Sequence, residues 1–201
     1  MTTFQQTSTL KISDALIQNN IVLMPTDTIY GLLGLATNKE TVEKIYKIKN
    51  RDLDKPFIIL ISDIKDLKQF GVQISQKESN LLKQYWPGAL SVIFNVKQEN
   101  LSYLHRGRNS LAFRIPNHKW LIEILKQTGP LVAPSANLQS QQPVVDIIQA
   151  REIFKDKIEY FVDAEEIAGQ SSTLVKIERN KFQILRQGNV KILSKDLSPI
   201  Y

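Results

Sequence analysis

The chain has 201 residues, 42% hydrophobic and 23% charged, with Gly 8 and Pro 8; this is the make-up of a soluble globular chain that buries roughly 70% of its unfolded surface, and it excludes disordered and fibrous classes. With no Cys and only His105 and His118, it also excludes disulfides, thiolate metal sites, cysteine nucleophiles and a histidine-rich metal centre, and it leaves any metal ligands unassigned. No apolar run approaches the ~20 residues of a membrane span and the N-terminus has no secretory pattern, so a cytoplasmic protein without membrane attachment is expected; 26 Lys and Arg against 20 Asp and Glu give +6, which suits an anionic ligand such as a nucleotide or RNA.

Residues 9–19 have amphipathic helical spacing, and residues 21–25 form a short apolar run typical of a buried strand. Asn38 is placed to cap a helix over residues 39–49, and residues 56–61 read as the next buried strand. Helices are expected at 63–70 and 75–85, the second stopped by Trp86-Pro87-Gly88, with Trp86 as a packed anchor. Strands at 89–96 and 111–115, a helix at 117–127, a strand at 131–134 and a polar loop at 135–142 follow. A helix at 144–154, strands at 159–162, 172–177 and 182–185, and a short helix after Gly188 complete the pattern. Some strands are a helix apart and the last two only a hairpin apart, around residues 178–181. The class is therefore α/β, a single domain over residues 1–201 (core about 9–190) with a twisted mixed sheet flanked by helices. Both histidines are expected at the surface.

Three loops gather polar residues directly after apolar strands, where open α/β sheets bind ligands. The first, Pro-Thr-Asp-Thr-Ile-Tyr-Gly at residues 25–31, offers hydroxyls and a carboxylate, and reads equally as an Asx/ST turn leading into the next strand. The second is Lys49-Asn50-Arg51. At about 100° per residue Val42, Ile45 and Tyr46 define the apolar face of the preceding helix, and Lys49 falls at its centre while Lys44 and Lys47 point elsewhere. Lys49 either snorkels past the core edge or directs its ammonium into a site. Arg51 and Lys55 complete a cationic cluster that suits a triphosphate or forms a solvated turn. The third, residues 133–137 with Ser135 and Asn137, permits close approach of a ligand and reads equally as a capped turn. Neither glycine-rich phosphate cradle and no Gly-x-Ser-x-Gly elbow occurs.

Together these stretches resemble the YrdC-domain family, the threonylcarbamoyl-AMP synthases of tRNA modification. Its KxR and SxN pairs appear as Lys49/Arg51 and Ser135/Asn137, its strand-end threonine motif as residues 25–31, and its WPG turn as Trp86-Pro87-Gly88. Its basic strand appears as residues 110–114, its Ser-Thr segment as residues 172–175 and its Leu-Arg-x-Gly as residues 185–188. The similarity runs from about residue 10 to 190. Three positions depart from the pattern: Asp52 stands where a proline is usual, Ser91 where a threonine is, and Gly169-Gln170-Ser171 lacks the proline that often precedes the Ser-Thr pair.

The resemblance implies a short single-domain form with a basic concave cavity that joins L-threonine, bicarbonate or CO2, and ATP with Mg2+ into threonylcarbamoyl-AMP and pyrophosphate. A separate tRNA threonylcarbamoyl transferase would consume the product. By the family pattern Arg51, Lys55 and Arg186 would hold the phosphates, with Ser110 and Asn137 on ATP; Thr28, Arg114, Ser135 and Ser172 would hold threonine. Lys49, Arg51, Ser135 and Asn137 would form the catalytic group, with Lys49 and Ser135 lining the carbamate and α-phosphate region. Arg114 ends an apolar strand, where a strand-end ion pair is the alternative. The rival class is a non-catalytic RNA-binding module of the same fold with weak RNA affinity, for which Tyr103 near Arg106 and Arg108 supplies the one aromatic and cationic cluster.

Overall fold

In a computed structural model, which describes residues 1–5, 8–164, 166–167 and 169–198, the chain opens with β1 (Thr2–Gln5), α1 (Thr9–Ile17), β2 (Val22–Met24), β3 (Gly31–Leu35) and α2 (Lys39–Lys49). It continues through β4 (Ile58–Leu60), a 3-10 turn Ile64–Phe70, α3 (Gln76–Leu82), β5 (Leu90–Asn95), α4 (Ser102–His105), β6 (Ser110–Arg114), α5 (Lys119–Thr128) and β7 (Leu131–Val132). Then come α6 (Ile147–Phe154), β8 (Tyr160–Asp163), β9 (Thr173–Glu178), β10 (Lys181–Arg186) and a 3-10 turn Ser194–Asp196.

The strands form one mixed ten-stranded sheet in the order β1-β8-β2-β3-β7-β4-β6-β5-β9-β10. Pairs β1/β8, β2/β8, β4/β6 and β5/β9 are parallel, and the other pairs are antiparallel. Helices cover both faces. On one, Ile12 and Leu16 of α1 pack with Leu121, Ile124 and Leu125 of α5. On the other, Val42 and Ile45 of α2, Leu104 of α4 and Phe154 of α6 join a larger core with Phe113 and Phe161. Each such fully buried side chain contributes roughly 1.5–3 kcal/mol.

The α/β class and most element positions agree with the sequence reading, and the differences have local causes. The stretch at 63–70 has helical spacing but is a 3-10 turn, held by Asp63 and Asp66 in a reciprocal capping box and ended by Gly71 in the left-handed region. Helix α3 stops at Leu82, short of residue 85. Helix α6 starts at Ile147 because Asp146, which accepts from the Gln149 N–H, is its N-cap. No helix follows Gly188 directly; the next turn is Ser194–Asp196. The fold also extends past the expected core at both ends: β1 pairs with β8, and Tyr85 Oη donates to the buried Asp196 at 2.6 Å. The surface position expected of His105 is also corrected, since it is 3% exposed inside α4, with Nε2 3.3 Å from the Gln98 carbonyl. Trp86 is the packed anchor expected, its Nε1 donating to the Leu90 carbonyl at 2.7 Å.

Candidate functional site

A cavity of about 650 Å3 opens over the middle of the sheet, within the size range of small-molecule sites. Its floor is β6: Ser110, Ala112 and Arg114, alternate residues of the strand, all line it. At about 3.3 Å per residue they span roughly 13 Å, which separates a Ser110 end from an Arg114 end. The parallel register of β4 on β6 carries the preceding loop, with Arg51, Asp54 and Lys55, toward the Ser110 end. The registers of β5 with β6 and β9 place Ser172, just before β9, toward the Arg114 end.

Asn50 in the left-handed conformation ends α2 and turns the chain into this loop. Arg51 then lies over the Phe57 ring at 5.4 Å with Nε donating to the Lys55 carbonyl at 3.1 Å. Burial draws its guanidinium below the ordinary value, against Tyr46, Asp52 and Asp54, which raise it. Arg186, whose Nη2 donates to the Ser172 carbonyl at 2.9 Å, is drawn down by burial and then by Arg51. A buried guanidinium lowered by the charge of a second one favours an anion between them. Lys55 lines the same wall but is exposed and paired with Asp52, whose carboxyl its hydrogen bond holds below the usual range.

At the other end, the loop after β2 is organised by Thr26, whose Oγ1 accepts from the Ile29 N–H and donates to the Ile29 carbonyl at 2.7 Å. Its single proton being engaged, the 3.0 Å contact with Thr28 makes the Thr28 hydroxyl the donor, which leaves the Thr28 Oγ1 lone pairs toward the cavity. Ser172 Oγ lies 2.8 Å from Ser91 Oγ, both buried; the position where a threonine is usual thus keeps its hydroxyl. Arg114 is 4% exposed and its Nη1 donates to Asp27. The strand-end ion pair given as the alternative therefore exists, and Arg114 also lines the cavity, with its Nε buried and without a hydrogen-bond partner.

The wall is closed by backbone. A Cβ on Gly169 would stand 1.7 Å from the Thr28 carbonyl oxygen, and one on Gly188 2.2 Å from that of Ser171, so these segments approach too closely for any side chain.

The profile of the Sua5/YciO/YrdC family, described as "Telomere recombination", matches residues 14–188. The chain belongs to the Sua5/YciO/YrdC family. It is 38% identical over 126 residues to the threonylcarbamoyl-AMP synthase of Bacillus subtilis, covering 62% of this chain and 36% of that one. To the threonylcarbamoyl-AMP synthase of Pseudoalteromonas translucida it is 29% identical over 164 residues, covering 79% and 87%. The structure of P. abyssi Sua5 complexed with L-threonine superposes with a TM-score of 0.83 at 27% identity, covering 92% of this chain and 55% of that one. E. coli YciO, at 18% identity and a TM-score of 0.82, shares the fold over 96% and 94%. The chain thus spans little more than a third of its B. subtilis relative and about half of the P. abyssi one.

Of the residues expected from the Sua5/YciO/YrdC pattern, Thr28, Arg51, Lys55, Ser110, Arg114, Ser135, Ser172 and Arg186 line the cavity. Lys49 and Asn137 are not among the lining residues. Lys49 is inward and 1% exposed, as its helical phase requires, but its ammonium donates to the Asn137 carbonyl at 2.7 Å, to Asn137 Oδ1 at 2.9 Å and to the Ser135 carbonyl. All three protons are engaged. Asn137 Oδ1 also accepts from Ser135 Oγ, and its Nδ2 donates to the Gln141 carbonyl at 2.7 Å. The two residues together shape the loop from behind and present Ser135. Asp52 adds a tether, exchanging hydrogen bonds with Gln139 at 2.7 and 3.0 Å.

Two residues of the site carry no site role in the sequence reading. Arg108, framed by the positive φ of Arg106, Gly107 and Asn109, lines the cavity and pairs with Asp54 at 2.6 Å. Asp27, buried under Arg114, is legible only as one acid in a polar loop. The Tyr103 cluster proposed for RNA comes apart: Tyr103 Oη donates to the Ala36 carbonyl, and Arg106 stacks on Tyr46 at 4.1 Å while pairing with Glu43.

Burial, and secondarily Arg51, draws Lys49 down to about 7. Between pH 7 and the ordinary lysine range the unfolded chain holds a proton that the folded one lacks, so the Lys49 contribution makes stability rise with pH. From pH 7 to 9 the wild type is expected to gain about 2 kcal/mol relative to Lys49→Met, at 1.36 kcal/mol per fully uncompensated unit. Urea melts at both pH values read this; parallel changes in the two proteins would reject it.

Proposed function

We propose that this chain is a threonylcarbamoyl-AMP synthase, a nucleotidyltransferase that forms threonylcarbamoyl-AMP and pyrophosphate from L-threonine, bicarbonate or CO2, and ATP. The observation that carries the reading is Arg114: a nine-tenths buried guanidinium lining a cavity whose far end along β6 is bordered by Arg51 and Arg108. A substrate pair with a carboxylate at one end and a polyphosphate at the other matches two such poles about one strand length apart. The names of the relatives, and the L-threonine in the P. abyssi complex, point the same way.

In this reading Arg114, Thr28 and Ser172 hold threonine, Arg51, Lys55 and Arg108 hold the phosphates with Ser110, and Arg186, bonded to the Ser172 carbonyl and coupled to Arg51, reaches the phosphates from between the two ends. The free amine of threonine adds to CO2, losing a proton, and a carbamate oxygen then attacks the α-phosphate while pyrophosphate leaves with the P–O bonding pair. No protein nucleophile takes part, in keeping with a site of hydroxyls and cations. The protein's share is alignment of two anions and charge neutralisation. Lys49 and Asn137 contribute by fixing Ser135.

Asp54 is the one carboxylate among the residues lining the cavity, it is paired with Arg108, and no group of three His, Cys, Asp or Glu able to hold a metal occurs among the described residues. The side chains do not form a cage for magnesium, so Mg2+ enters as part of the nucleotide substrate, held by its phosphates. No helix among the described residues is long and apolar enough to cross a membrane. The product is an activated acyl phosphate, which a separate transferase would pass to the tRNA adenosine beside the anticodon.

The test is pyrophosphate release. Purified protein is expected to release it from ATP only when L-threonine and bicarbonate are both present, because the nucleophile exists only after they combine. Equal release without threonine overturns the assignment.

A further inference from the structure

We propose that Asp27 is a positioning residue for the amino-acid substrate: its carboxylate holds the Arg114 guanidinium by Nη1 and so fixes the direction in which the rest of the fork meets the substrate carboxylate. The inference rests on the proposed function and deepens it, since it names what orients the amino-acid pole.

Asp27 sits between Thr26 and Thr28 in the loop after β2, whereas Arg114 ends β6; the pair therefore joins two of the three segments that carry the threonine-binding side chains. Both groups are 5% exposed at the side chain. One Asp27 oxygen takes Arg114 Nη1 and the other accepts the Asn117 backbone N–H at 2.9 Å, so the carboxylate is itself fixed at two points. A guanidinium donates in a rigid planar fork, and holding it at one corner sets the direction of every other N–H. Arg114 Nε is buried without a hydrogen-bond partner, so the Asp27 contact at Nη1 is what holds the fork in place.

The surroundings explain why an anchor is needed. Asp27 also lines a second hollow of about 360 Å3, bordered by Tyr85, Gly88, Asn117 and Asn189, while Arg114 lines the main cavity. The ion pair is the partition between them. Without the Asp27 charge, the long arginine side chain has open space on the far side and neutral amides there to turn toward. Loss of aim would appear as weaker capture of threonine, with the phosphate pole at the other end of β6 untouched.

Asp27→Asn is the informative change, because asparagine keeps the shape but has a single neutral acceptor oxygen, which can meet either Arg114 or the Asn117 N–H while its amide donor is set against the other. The threonine KM is expected to rise about tenfold or more and the ATP KM to stay within about twofold. In a double-mutant cycle, adding Asp27→Asn to Arg114→Lys should raise the threonine KM by less than about threefold further, since a residue acting through Arg114 has little left to lose once Arg114 is changed. A thermal melt establishes folding. If Asp27→Asn lacks a cooperative melt, the same cycle is run with Asp27→Glu, which keeps the charge and displaces it by one methylene; the same split is expected. An unchanged threonine KM in the folded variant, an equal rise for ATP, or full additivity with Arg114→Lys overturns the positioning role while the wild type still consumes threonine. A wild type that shows no threonine dependence overturns the proposed function and this role with it.

Discussion

Lys49→Ala is expected to lower ATP-dependent product formation at least about a hundredfold, or roughly 2.7 kcal/mol in barrier terms. The ammonium is the common donor to the Ser135 and Asn137 carbonyls and to Asn137 Oδ1, so its removal unties the loop that presents Ser135 to the cavity and leaves those acceptors unmet. A misplacement near 1 Å in such a support can itself cost about a hundredfold. Lys44→Ala and Lys47→Ala, on the exposed side of the same helix, should change turnover little. Because truncation removes a buried stem, Lys49→Ala must first show a cooperative melt, and Lys49→Met, which retains most of the stem, separates packing from hydrogen bonding. Near-normal turnover in folded Lys49→Ala would sink the role. Salt gives an independent contrast. A few cations enclosed in a cavity are screened weakly, whereas affinity of an RNA-binding module would fall log-linearly with salt and depend on no single lysine.

What was legible in the sequence was what local chemistry decides. Asn38 caps α2 by accepting the Thr41 N–H at 2.7 Å, and the 100° phase that buries Val42 and Ile45 also turns Lys49 inward. The end point of that ammonium was not legible, because its acceptors lie 86 and 88 residues away. β1 was missed for the same reason: Thr2–Gln5 is half-exposed, without a strong alternation, and becomes a strand only through β8 near the other end of the chain. His105 sits in a polar stretch yet is buried, since the four residues of α4 pack on α2 and β6, which no local pattern reveals. Asp27 and Arg108 are visible as charges in loops but not as members of this site, because an acid or a base in a loop looks alike whether it meets solvent, a counter-ion or a ligand. Arg108 had one signal that sequence partly carries, Gly107 and Asn109 beside it, residue types that accept the positive φ they adopt.

Arg114→Ala is expected to raise the threonine requirement by at least about thirtyfold, at the low end of the roughly 2–5 kcal/mol lost when one partner of a buried charge pair is truncated, with a much smaller change for ATP. The same substitution carries a second cost, because it strands Asp27 as a buried carboxylate retaining only the Asn117 N–H. Such an uncompensated charge typically destabilises by about 3–5 kcal/mol, so the melting temperature should fall as well, and a loss of activity alone would be ambiguous. Arg114→Ala combined with Asp27→Asn resolves it. The double variant removes the stranded charge, so stability should recover a substantial part of the loss, while threonine use should not recover, since no guanidinium remains to meet the substrate carboxylate. Melts and separate threonine and ATP titrations on both variants provide the readout. If threonine use returns together with stability, Arg114 serves the fold rather than the substrate; if ATP use alone suffers, Arg114 belongs to the phosphate end of β6.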